Sequence, residues 1–157
     1  MTPAIDALKK AGIAHSVHRY EIAGNEDVTY GEAVAAAIDA DPATVFKTLI
    51  AQLNTKELVV AIVPVTATLD LRTLASAAGA KSAAMASPVM AERSSGYVTG
   101  GISPFGQRKK LRTFVDGSAE RSATIYVSAG RRGLQMSLAA ADLVRNCAAS
   151  VVADLAR

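Results

Sequence analysis

The chain has no tryptophan, one cysteine, two histidines, three phenylalanines and four tyrosines among its 157 residues. Each shortage excludes something. A single cysteine, Cys147, allows no intramolecular disulfide, the usage expected in a reducing compartment. Few aromatic rings leave few platforms on which nucleic-acid bases could stack. The net charge of +3 is mildly basic and falls short of a dedicated nucleic-acid coat, though it permits a polyanion at one local patch. His15 and His18 stand three apart and fall on opposite faces of a strand, with no Cys cluster or H-x-x-x-H beside them. Neither a metal site nor any other cofactor is expected. No G-x-S-x-G elbow and no phosphate-binding Walker loop occurs, and a serine nucleophile would lack a base. Cys147 sits on the apolar side of a C-terminal helical pattern and reads as a structural thiol. If the chain is an enzyme, the attacking atom comes from elsewhere.

Also lacking are a secretory pattern in MTPAIDALKKAGIAH and any apolar run near the roughly 20 residues that cross a bilayer. The expectation is a soluble, cytoplasmic protein with no membrane partner. Half of the residues are hydrophobic and a fifth are charged, the balance of a globular domain. No repeat, linker or low-complexity tract interrupts it, so residues 1–157 read as one domain.

Helices are expected over 3–11, from a Thr29 cap to about Ile38, over 69–79, over 87–96 behind Ser87-Pro88, and over 139–150. A short helical turn follows Asp41-Pro42. Strands are expected over 15–22, 45–53, 57–65, 112–116, 123–130 and 133–138, with a closing strand in SVVADL. Irregular strand spacing and short connections argue for an α+β class, a mixed, mostly antiparallel sheet with helices outside.

Three features stand out. Lys47 interrupts the apolar strand VFKTLI, where an unpaired buried ammonium is costly. It is either an edge-strand lysine that reaches water or one that projects into a cavity to meet a carbonyl or phosphate oxygen. Thr99-Gly100-Gly101-Ile102-Ser103-Pro104 is either a tight turn or a rigid loop whose amides face an anion or oxyanion. Arg108-Lys109-Lys110, with Arg112 beyond and Arg131-Arg132 in a later turn, is either solvated charge or a rim for nucleic-acid phosphates.

In this order, VFKTL, GGISPFGQRKKL and IYVSAGRRGLQ resemble the YbaK family, the bacterial cysteinyl-tRNA(Pro) deacylases related to the editing domain of prolyl-tRNA synthetases. The resemblance covers almost the whole chain. It implies a distorted mixed β-barrel flanked by helices, and trans-editing of tRNA(Pro) mischarged with cysteine, alongside prolyl-tRNA synthetase. It implies that Lys47 is the essential lysine, followed by Thr48, and that the Gly100 and Gly101 backbone faces the scissile carbonyl. Thr99, Ser103 and Pro104 complete that loop, and Tyr20, Tyr30 and Ser128 fall where pocket residues lie. Gln135 departs from the pattern, since some members carry an acidic side chain there. In the family the substrate's own thiol is thought to attack its carbonyl, which answers the missing nucleophile. Arg108, Lys109, Lys110, Arg131 and Arg132 are the candidates for tRNA contact. The expected state is a monomer or weak homodimer. Alternatives are an alanyl-tRNA(Pro) deacylase that uses water, and a non-catalytic module that binds tRNA or the synthetase.

Overall fold

A computed structural model describes residues 1–22 and 29–157. Helix α1 (Pro3–Ala11) starts where Thr2 accepts the Ile5 amide and stops at Gly12, whose φ of +70° closes the last turn. Strand β1 (His15–Arg19) is followed by helix α2 (Tyr30–Ala37), capped by Thr29. A 3-10 turn (Pro42–Thr44) leads into the hairpin β2 (Phe46–Leu53) and β3 (Leu58–Pro64). Helix α3 (Leu71–Ala78), strand β4 (Ala83–Met85) and helix α4 (Pro88–Ser95) come next. After the glycine loop run β5 (Thr113–Asp116), a second 3-10 turn (Gly117–Arg121), β6 (Thr124–Arg131) and β7 (Leu134–Ala139). Helix α5 (Ala140–Asn146) and strand β8 (Ser150–Val152) close the chain.

The α+β class and the expected helices stand, with two differences. The C-terminal helix ends at Asn146 rather than 150, and the short β4 carries no alternation by which to read it. The strands form two sheets, β1-β7-β6 and β4-β2-β3-β5-β8, which do not close into the distorted mixed barrel that the resemblance implies. Among the described residues the sheets share one bridge, Val45 with Tyr126. Pairing within the sheets is antiparallel except where β5 joins β3 and β8 joins β5, and the bridge between the sheets is parallel.

The continuous apolar run of β3 has a simple cause: both of its faces are buried. Val60 and Ile62 enter a core shared with α1, α5 and the three-stranded sheet. Val59, Ala61 and Val63 enter a second core against α3 and the C-terminus. Strand β2 divides likewise, with Phe46 in the first core and Leu49 against the second. Its C-terminal half, Ala51–Leu53, pairs with β4, whereas residues 46–50 have no β4 partner. That open edge is where the site forms.

Candidate active site

A cavity of about 410 Å³ opens beside the unpaired half of β2, within the size of small-molecule sites. Residues 46–50 form one wall, Thr29, Tyr30, Gly31 and Val34 of the α2 end a second, and Thr99, Gly100 and Ile102 a third. Ser128 of β6 and Gln135 of β7 form the floor; they are direct partners in the antiparallel register and therefore share a face. Pro88 and Ala91 of α4, with Met85 and Ala86 before it, supply an apolar side that the sequence did not mark. It arises from tertiary packing and carries no local pattern.

Lys47 is the sole charged side chain in this lining among the described residues. It is half-buried and in no ion pair there, and burial pulls its ammonium below the usual lysine range. Two further lining groups lack partners. Thr48 is 8% exposed and Gln135 6% exposed, yet the Thr48 hydroxyl and the Gln135 amide oxygen make no hydrogen bond. An unmet buried acceptor costs about 1–3 kcal/mol, so both are poised for a donor that enters the cavity. The Ser128 hydroxyl oxygen, by contrast, accepts the Gly130 amide at 3.1 Å.

The glycine loop is held from several sides. At its base the Tyr97 hydroxyl donates to the Phe105 carbonyl at 2.6 Å. The Thr99 amide donates to Glu92 Oε2 at 2.8 Å, and the Gly101 amide to the Val98 carbonyl at 2.8 Å. Of the two amides expected to face the substrate, that of Gly101 is spent within the turn, while Gly100 lines the cavity. Gly101 serves packing instead: a Cβ there would stand 2.7 Å from Arg131 Cα. Gly100, at φ +91°, lies against the Arg132 guanidinium.

Ser103 and Pro104 do not reach the cavity lining. Ser103 is fully buried, its hydroxyl accepting the Phe105 amide, and the Pro104 carbonyl accepts the Cys147 thiol at 3.7 Å. Burial pushes that thiol up to about 12, which fits the structural role expected of Cys147. Tyr20 stands behind the wall and hydrogen-bonds Tyr30, hydroxyl to hydroxyl, at 3.2 Å. Burial, and then that bond, raise the Tyr30 hydroxyl well above the usual tyrosine range.

The basic candidates separate in space. Arg132 lies over the Tyr30 ring, 5.2 Å from its centroid, at the cavity mouth. Arg131 lines a different groove, with Arg19. Arg108, Lys109 and Lys110 follow the end of α4, where the Arg108 and Lys109 amides bond the Ser95 and Ser94 carbonyls. Arg112 is paired with Glu57 at 2.8 Å. His15 and His18 are apart as expected, one held by the Ile13 carbonyl and the other by Ser137.

The family model for the aminoacyl-tRNA editing domain matches residues 25–146, which span the lysine strand, the glycine loop and the β6–β7 hairpin. The chain belongs to that family. Membership makes this editing domain an aminoacyl-tRNA deacylase. A protein of Enterococcus faecalis named as a candidate Cys-tRNA(Pro)/Cys-tRNA(Cys) deacylase, EbsC, is 39% identical over 120 residues, 76% of this chain and 73% of that one. The fold matches a candidate trans-editing enzyme for prolyl tRNA synthetase with a TM-score of 0.83 at 18% identity, over 96% of this chain and 93% of the other. It also matches hypothetical protein APE2540, with a TM-score of 0.85 at 20% identity over 99% of both chains. No described helix is long and apolar enough to cross a membrane.

Proposed function

We propose that the chain, as a single editing domain over residues 1–157, deacylates tRNA(Pro) mischarged with cysteine. The observation that carries this is the inventory of the cavity: one half-buried ammonium, two unpartnered neutral oxygens and a mostly apolar lining. A small aminoacyl ester has matching parts. Its α-amine supplies N–H donors to Thr48 and Gln135, its carbonyl or a nearby phosphate meets Lys47, and its short side chain faces Met85, Ala86 and Ala91. Gln135 does the work of a neutral acceptor, so no carboxylate is needed to hold the amine.

Among the described residues the Ser128 and threonine hydroxyls of this lining have no histidine or carboxylate beside them in the cavity to act as a base. The substrate thiol attacks its own carbonyl carbon: a carbon–sulfur bond forms, the bond to the ribose oxygen breaks, and that oxygen leaves with the thiol's proton. The product is free tRNA and a cyclic thioester of cysteine, which water then opens. Lys47 and the Gly100 amide steady the oxyanion that develops, a contribution of about 3 kcal/mol for one such donor. Tyr20 fixes Tyr30 at the wall, and prolyl-tRNA synthetase is the partner that delivers the mischarged tRNA.

The test is deacylation of Cys-tRNA(Pro) and Ala-tRNA(Pro) side by side, with Lys47→Ala as control. Release of cysteine alone, lost by about 100-fold or more in the variant, is the expected result. Faster release of alanine would move the chain to water as nucleophile. Release of neither would leave a binding module.

A further inference from the structure

Arg131 and Arg132 are neighbours in sequence but serve opposite faces of one sheet. The cavity side of β1-β7-β6 carries Ser128 and Gln135, and Arg132 stands at that cavity's mouth. The other side carries Leu134, which pairs in register with Arg19 on β1 and with Arg131 on β6. Two strand spacings then separate the backbones of Arg19 and Arg131 by about 10 Å. Between them lies a groove of about 490 Å³ with an apolar floor of Ile5, Val17 and Leu134 and with Met1 at its edge. Among the described residues Arg19, Arg131 and Arg132 are in no ion pair. The described ion pairs are Glu57 with Arg112 and Asp142 with Arg145, both elsewhere.

Three guanidiniums in no ion pair among the described residues thus flank the end of the β6–β7 hairpin, Arg132 over the cavity and Arg131 and Arg19 on either side of the groove on the other face. A groove with a guanidinium on each side and another at the cavity mouth suits the closely spaced phosphates of a single-stranded nucleic acid, which it neutralises in passing. The glycine loop fixes the register of the hairpin end, because Gly101 abuts the Arg131–Arg132 backbone and Gly100 the Arg132 side chain.

We propose that the unpaired 3′ strand of the tRNA acceptor end bends over this hairpin. The phosphate of the terminal nucleotide meets Arg132 at the cavity mouth, and the preceding nucleotides occupy the groove between Arg131 and Arg19. This rests on the proposed function for which end of the RNA enters. It assigns Arg19 to the interface and sends the strand away from Arg108–Lys110.

Binding rather than turnover tests it. The full chain is titrated with uncharged tRNA(Pro), and with the same RNA lacking its unpaired 3′ nucleotides, over a salt series read by fluorescence anisotropy. Arg19→Gln, Arg131→Gln and Arg132→Gln should each lower the slope of log K against log salt by about 0.7, the value for one single-strand phosphate. Those losses should vanish with the truncated RNA. Wild-type slopes in Arg19→Gln and Arg131→Gln, losses that persist on truncated RNA, or no salt-dependent binding by the wild type would each overturn the proposal. So would a slope carried instead by Lys109→Gln with Lys110→Gln. If binding behaves as expected while no aminoacyl-tRNA is deacylated, the surface stands and the proposed function falls.

Discussion

Gly101→Ala adds one methyl group at a position whose surroundings cannot retreat. The new Cβ would stand 2.7 Å from Arg131 Cα and 2.9 Å from both the Arg131 carbonyl carbon and the Arg132 nitrogen, all of them backbone. Nonbonded carbons settle at about 3.5–4.0 Å, so the loop and hairpin must part by roughly 0.8 Å. Overpacking of this kind costs about 1–3 kcal/mol. For a chain of this length, a loss near 2 kcal/mol lowers Tm by roughly 4–8 °C. The larger effect is on chemistry. Gly100 moves with Gly101, and a displacement near 1 Å at a positioned donor costs about 100-fold in rate. Calorimetric melting and kcat/KM for Cys-tRNA(Pro) measure the two effects on one preparation. Gly100→Ala separates contact from conformation. Its strain comes from φ +91°, and the atoms its Cβ meets belong to the end of the Arg132 side chain, which can swing aside. Its turnover should fall less than that of Gly101→Ala. Wild-type turnover in Gly101→Ala, or the reverse ranking, would refute the close-packing account of the loop.

Two further perturbations check the site's energetics. Burial lowers the Lys47 pKa in the folded chain, so between that value and the unfolded value of 10.5 the unfolded state holds the extra proton. Stability therefore rises with pH across that window, and the cost of the buried ammonium is fully present below it. Lys47→Met should lose deacylation yet unfold at higher denaturant than wild type at pH 7, a gain that shrinks by pH 10; an equal gain at both pH values contradicts the assignment. Tyr97→Phe leaves the Phe105 carbonyl without its donor at the base of the glycine loop. It should cost about 1–2 kcal/mol by denaturant melts, and an unchanged midpoint would show that the clamp bears no strain.

Much of the molecule was legible in its sequence, and the reasons are local. Thr29, Ser87-Pro88, Gly12 and Gly79 place helix ends because caps act on their own first or last turn. The apolar run over 57–65 marked a strand, and Lys47 stood out as a charge in an apolar strand, open between an edge that reaches water and a cavity until the fold placed it in the cavity lining. What the sequence could not determine was arrangement. Two sheets instead of a barrel, the wall from Met85 to Ala91, and the unpartnered oxygens of Thr48 and Gln135 depend on which strand edges find partners. The glycine pair shows the division most clearly. Sequence establishes that Gly100 and Gly101 can bring backbone close to something. Tertiary structure decides that Gly101 spends its amide on Val98 and its missing side chain on the Arg131–Arg132 turn, while Gly100 lines the cavity. A hydrogen bond and a close contact each need a partner, and partners distant in the chain are chosen only when the whole chain has folded.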